Sequence, residues 1–353
     1  MAKNRIASRG RQIVTPGEAH LSSPAEFLGM GGRWATARWA ATSAAGKMVT
    51  AAAFRTLDTL RHEEWQFYDR VVLEETRIRL VGVGDLIAGG QVKPVANALG
   101  KMAYAYEKVT DMDDAQTSLD GLSQTTNDVQ EYDFNQLPLP LTHKDFFVNL
   151  RKLEASRNEG ESVDTLQVRT ATRKVAEKLE KLLFQGGPQY ASMPIYGYTT
   201  EPNRNTDTFD GGKDWGDSTK AGSSYLKDLL DAITALQADG YYGPYRVYVP
   251  TNAGVVLDND YNAGTANIQS IRQRLLQVEG VQSIKTADQL PADNVIIAQA
   301  SEDVAAWVRG LDPTTVQWDE AGGFKVNFKV FAIGVPLIRS TLSGKSGVFH
   351  YSD

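Results

Sequence analysis

Two long stretches of this chain lack the apolar residues to build a core of their own, and they limit the folds open to it. Residues 1–50 are rich in Gly, Ala, Ser and Thr, punctuated by Phe27, Trp34 and Trp39. No sustained helical stripe runs through them, so they read as an extended arm with short ordered pieces, which must lie on something else to offset the entropy of its ordering. Residues 98–148 read as two strands joined by a polar tip. Ala103, Tyr104, Ala105, Tyr106 and Val109 form the first strand, and Val129, Tyr132, Phe134 and the run LPLPLTHKDFFVNL form the second. A long two-stranded ribbon is poorly stable alone, so its expected support is another subunit. Arm and ribbon together make up roughly a third of the 353 residues.

The remainder shows regular patterns. From Thr56 the residues Leu57, Leu60, Trp65, Tyr68, Val71 and Val72 follow helical spacing, with Glu63, Glu64 and Asp69 outside. RIRLVGVGDLIAGG reads next as a short strand ending at Gly89–Gly90. The clearest helix is 165–185: Val168, Ala171, Val175, Leu179, Leu182 and Leu183 form one stripe, Asp164 and Gln167 have capping-box spacing, and Gly186 supplies a left-handed stop. After a loop over 186–222, a helix ending at Gly240, the strand YRVYVP, a second helix within TANIQSIRQRLLQVEG and strands at VQSIKTA, NVIIAQA and DVAAWVRG form an α/β unit. Phe324, Val326, Phe328 and Val330 alternate with Lys325, Asn327 and Lys329, and SGVFHY is a last strand. The fold class is α+β.

Charge divides along the same lines. The chain has a formal net charge of −6. Residues 1–60 carry +5, from eight basic residues including Lys3, Arg5, Arg9 and Arg11, which leaves −11 for the rest. Between Asp111 and Phe134 stand seven acids and no base. Opposite patches of this kind favour register and association rate more than raw affinity. The basic arm is therefore expected against an acidic neighbouring surface, the tip with Asp111, Asp113 and Asp114 being one candidate.

Reactive chemistry is scarce. There is no cysteine, which removes disulfides, thiolate metal sites and cysteine nucleophiles together, and the four histidines are widely spaced. Gly82 and Gly84 lack the third glycine of a dinucleotide fingerprint. The acidic tip fails as a calcium loop because Gln116 and Leu122 replace the turn glycine and the bidentate glutamate. Asp258 and Asp260 in DNDYN read as turn initiators, and His143 and His350 as strand residues with packing or surface roles. Neither a nucleophile elbow nor a phosphate-binding loop is present. No window approaches the ~18 apolar residues of a membrane span, and the N-terminus lacks the apolar block of a secretory signal. The expectation is a non-enzyme without cofactor or metal, made in a cytoplasm.

The layout resembles the major capsid proteins of tailed bacteriophages with the Hong Kong 97-type fold and the related encapsulin shell proteins. The segments that carry the resemblance are LRHEEWQFYDRVVLEETRIRLVG (60–82), residues 137–186 leading through the long helix, and DLLDAITALQADGYYGPYRVYVPTN (228–252). The resemblance implies an N-terminal arm (1–55), a helix and strand of a peripheral domain (56–97), and an extension loop (98–148) reaching over a neighbour. It also implies a peripheral domain with a spine helix (149–221, helix 165–185), an axial domain (222–318) and returning peripheral strands (319–353). Tyr104 and Tyr106, with the arm's basic residues and the tip's acids, are the candidate inter-subunit contacts. Implied partners are further copies in pentamers and hexamers, a separate scaffolding protein, a portal, a decoration protein and packaged double-stranded DNA, in a virion capsid assembled in the host cytoplasm. The arm is longer than encapsulins have, which favours the phage head. The alternative is an encapsulin-like compartment packaging a cargo enzyme.

Overall fold

The computed structural model describes residues 62–110, 129–149, 165–261, 269–320 and 324–352, together with Met112, Ala115, Thr117, Leu119 and Arg151. In chain order the main elements are α1 (His62–Arg79), α2 (Gly82–Ala88), β1 (Val92–Pro94), β2 (Ala103–Val109), β3 (Tyr132–Pro138), β4 (Leu141–Asn149) and α3 (Thr165–Gln185). There follow β5 (Gly187–Tyr190), β6 (Met193–Ile195), β7 (Asn205–Asp207), α4 (Gly222–Ala238), β8 (Tyr245–Val249), α5 (Thr251–Val256) and α6 (Ile271–Leu276). The chain closes with β9 (Val281–Thr286), β10 (Asn294–Gln299), β11 (Ala305–Glu320), β12 (Lys325–Ile338) and β13 (Val348–Ser352). They form two compact units, each gathered from three stretches of chain.

The first unit takes the described residues up to Met102, then Leu139–Leu183 and Trp307–Val335. Its sheet has the order β1-β11-β12-β4. β1 runs parallel to β11, with Val92 opposite Trp307. β12 runs antiparallel to β4, with Val326 opposite Val148 and Phe328 opposite Phe146. A core joins Tyr68, Val71 and Val72 of α1 and Val168 of α3 to Val148, Val326 and Phe328. Phe328 stacks on Phe146 at 5.1 Å between centroids and meets Tyr68 edge-on at 5.8 Å, offset and edge geometries that the ring quadrupoles favour. The apolar stripe expected for 165–185 is buried throughout.

Two readings of the sequence change here. The run 77–90 is not a strand: Arg77–Arg79 complete α1, and Gly82 and Gly84 lie inside α2. The signal that makes this helix is distant, because the Glu180 carboxylate of α3 accepts from the N–H groups of Gly82 (2.5 Å) and Val83 (3.2 Å). Those amides are among the donors that every helix start leaves unpaired. Nor does Leu141–Asn149 continue the ribbon. Pro138 and Pro140 remove backbone donors, Leu139 N–H bonds Met102 O (2.8 Å), and the chain from Leu141 pairs with β12.

The second unit takes Ala103–Pro138 as far as described, Phe184–Ala306 and Pro336 onward. Its five-stranded sheet has the order β7-β13-β10-β8-β9. β8, β10 and β13 alternate: Tyr245, Val247, Val249, Val295, Ile297, Phe349 and Tyr351 face a core with Tyr225, Leu229, Ala232, Ile233 and Leu236 of α4. Tyr248 points the other way, into an aromatic trio with Phe184 (5.3 Å) and Tyr198 (6.0 Å). The last strand, expected with β12 in the peripheral part, instead pairs antiparallel with β10 and parallel with β7. The segment 184–221 joins the same unit. The second helix of the α/β stretch begins only at Ile271, where Ser270 and Gln273 form a capping box, and Ile268 lies outside the described residues.

Gly186 ends α3 at φ +75°, and a Cβ there would lie 2.5 Å from Ile195 O and 2.7 Å from Thr200 Oγ1. Gly186→Ala is expected to destabilise by about 2 kcal/mol, combining the left-handed backbone penalty with that overlap. A thermal melt unchanged from the parent chain would contradict it.

Candidate assembly surfaces

The ribbon is the place to look for contacts, since two strands have two faces and only one can rest on the chain itself. β2 and β3 pair antiparallel from Ala103–Pro138 to Val109–Tyr132. Directly opposed residues share a face, so Tyr104, Tyr106 and Lys108 stand with Leu137, Asn135 and Asp133. The other face carries Ala105, Glu107 and Val109 with Gln136, Phe134 and Tyr132.

The first face is turned toward the chain's own second unit. Burial, then the charge of Glu201, pushes the Tyr106 phenol up to about 12. Lys108 Nζ donates to Ser340 Oγ (3.1 Å), and that hydroxyl donates to Glu201 Oε1 (3.2 Å) while accepting from Asn203 Nδ2 (3.0 Å). Burial raises the pKa of the Glu201 carboxyl, opposed by the Lys108 charge and the Ser340 bond. The network continues through Arg204, whose Nε donates to His350 Nδ1 (3.1 Å). The ring's other nitrogen therefore carries the proton, which it gives to Asn294 Oδ1 at 2.6 Å. Burial and then the Arg204 charge push His350 down to about 4, so the ring is neutral at pH 7. Its role is structural, as its strand position implied.

The second face is open. Phe134 is 72% exposed and Tyr132 57%, and Val129 just before β3 is 79% exposed. Single exposed apolar residues need no explanation, but aromatic side chains two apart on one face of a two-stranded ribbon form a continuous strip. Of the residues singled out in the sequence, Tyr104 and Tyr106 are half-buried on the inward face, so the outward aromatics are Tyr132 and Phe134. Lys3, Arg5, Arg9, Arg11, Asp111, Asp113 and Asp114 lie outside the described residues.

Two buried helix acids, Asp228 and Glu180, were not singled out in the sequence. Asp228 of α4 accepts from Trp215 Nε1 (2.8 Å), Asp210 N (3.0 Å) and Lys220 Nζ (2.6 Å). Lys220 also donates to Lys213 O (2.6 Å) and sits over the rings of Phe209 (5.0 Å) and Tyr225 (5.5 Å). This cluster fastens the 205–221 segment to α4. Glu180 is the second. Both acids had a legible signal: Asp228 follows Tyr225 by three residues, Glu180 follows Ala176 by four, and each lies on its helix's apolar stripe.

The first unit also has an apolar cleft between α1, α2, α3, β11 and β12, lined by Val72, Leu80, Val83, Ile87, Leu179 and Trp307, with the Arg309–Asp312 ion pair at one side. Among the described residues no cluster of three or more His, Asp or Glu is placed to hold a metal ion. Among them, too, no helix is long and apolar enough to cross a membrane.

Comparison with known proteins agrees with this architecture. A family model described as "Family of unknown function (DUF6260)" matches residues 51–351. The type 1 encapsulin shell protein EncA of Myxococcus xanthus (strain DK1622) is 27% identical over 221 residues, 61% of this chain and 69% of that protein. The virus-like particle from Pyrococcus furiosus superposes with a TM-score of 0.57 at 17% identity, over 82% of this chain and 100% of that one. The capsid of Myoviridae phage XM1 gives 0.56 at 10% identity, over 75% and 90%. The fold is therefore the α+β fold of the Hong Kong 97-type capsid proteins and encapsulins.

Proposed function

The chain belongs to the DUF6260 family, a family of unknown function, and we propose that it is the repeating subunit of a closed icosahedral shell. The observation that carries this reading is the ribbon. One face, with Tyr104, Tyr106 and the hydrogen-bonded Lys108, is turned to its own unit, and the other leaves Tyr132 and Phe134 exposed, on a chain with a shell-protein fold. A closed lattice needs heterologous contacts that close through symmetry, and a projecting ribbon lets one subunit bury apolar surface on another. The work done is structural, not catalytic.

The shell is proposed to be a phage head, built from pentamers and hexamers and enclosing double-stranded DNA, with scaffold, portal and decoration proteins as further partners. The net basic charge of the sequence ahead of α1 and the phage capsid neighbour support it. The second reading, a compartment enclosing a cargo protein, is favoured by the encapsulin relative and its greater sequence identity. Negative-stain images of the expressed chain are expected to show closed particles of uniform size. A small oligomer at every salt concentration would remove both readings. Co-purifying nuclease-protected double-stranded DNA selects the head, and a single co-purifying protein selects the compartment.

A further inference from the structure

Glu180 presents a problem the shell does not solve. Its side chain belongs to a residue only 1% exposed, it accepts from the backbone amides of Gly82 and Val83 with the Val81 amide also acting on it, and among the described residues no cation does. Capping a helix start needs only an acceptor, which a neutral amide supplies. A buried carboxylate does it at the cost of desolvating a charge. The surrounding charges offer little relief. Asp85 of α2 acts on Glu180 with the same sign. On α3, Glu177 pairs with Lys174 (2.8 Å), and Arg169 pairs with Glu75 of α1 (3.3 Å). On β11, Arg309 and Asp312 pair with each other. The helix that Glu180 holds contributes Val83 and Ile87 to the wall of the apolar cleft, and Leu179, beside Glu180 on α3, lines it too.

We propose that Glu180 is a proton-sensitive fastener, whose deprotonation loosens α2 from α3 and so opens one wall of the cleft in the first unit. The inference does not depend on whether the chain forms a shell.

The sign follows from linkage. Burial is the largest influence and raises the carboxyl from its ordinary 4.5 to about 7 in the closed state, the amide bonds opposing. The closed state thus binds the proton more tightly than an open, hydrated one. Its advantage is fully present below pH ~4.5 and is lost as pH rises toward ~7. Each unit of pKa difference is worth a factor of ten in the opening constant.

The test is hydrogen exchange on the full-length protein between pH 5 and pH 8, corrected for intrinsic exchange and referenced to the α3 amides. Protection of the Gly82–Ala88 amides is expected to fall by about tenfold or more in the parent chain. In Glu180→Gln, which keeps an acceptor and loses the proton, the profile is expected to be flat. Equal slopes in the two proteins would overturn the proposal. Should the variant fail to fold, the parent alone decides: α2 protection that stays constant relative to α3 across this range overturns it as well.

Discussion

Replacing Asp228 with alanine is expected to cost the second unit about 3–5 kcal/mol, the range for removing one partner of a buried ion pair. The Lys220 and Asp228 side chains are 1% and 2% exposed, so the lysine left behind stays buried beside Phe209 and Tyr225 without its carboxylate partner. Trp215 Nε1 and the Asp210 amide lose their acceptor at the same time. For a unit of this size the loss corresponds to roughly 10 °C in melting temperature. Trp215, itself 1% exposed, reports the change directly through red-shifted fluorescence. Adding Lys220→Met is expected to recover part of the loss, so that the double variant costs about 2 kcal/mol less than the sum of the singles. Additive costs would show that the pair does not act as a unit and that the damage comes only from the lost neutral contacts.

The second large effect falls on assembly. Tyr132→Ser with Phe134→Ser removes the outward aromatic strip and leaves the inward face of the ribbon intact. Surface substitutions away from buried features stay within about 0.5 kcal/mol, so the melting temperature of the unassembled chain is expected to stay within about 2 °C of the parent. Burying one such ring contributes about 1.5–3 kcal/mol, and in a shell each subunit repeats the contact. Loss of even 2 kcal/mol per subunit raises the concentration needed for particles by roughly 30-fold. Light scattering across a dilution series reads this directly. Particles forming at the parent concentration would show that the outward face is not a subunit contact. A large drop in melting temperature would show that it packs within its own chain.

Where pattern and structure agree, the information is local. The α3 stripe and the Gly186 and Gly240 stops follow from periodicity and glycine conformation, and they are found where the sequence puts them. The β12 alternation holds only in part, because Phe324 precedes the strand and is exposed and Asn327 is buried. The misread elements owe their form to partners far along the chain. α2 contains two glycines and the β-branched Val83 and Ile87, a poor helix by propensity, and it is held by a carboxylate 98 residues from Gly82. β4 continues the ribbon's apolar pattern without a break, and only the prolines and its pairing with β12 separate it. β13 follows β12 in sequence yet inserts between β7 and β10. The ribbon was legible as a ribbon, but the sequence emphasised Tyr104 and Tyr106. Strand alternation alone cannot say which of two faces is turned inward. That depends on Glu201 and Ser340, which are far from β2 in sequence.

The place of β13 sets an order of events during synthesis. A strand inside the five-stranded sheet, residues 348–352, is translated after every other strand it supports. Until it arrives, β7 has no neighbour in the sheet and β10 is left with an open edge. The second unit therefore closes only after translation has passed Ser352, through contacts of very long sequence separation that form slowly. Without β13 the unit lacks Phe349 and Tyr351 from the core and His350 from the polar network that reaches Lys108 of the ribbon. The sheet thus depends on a strand that is made after all the others in it.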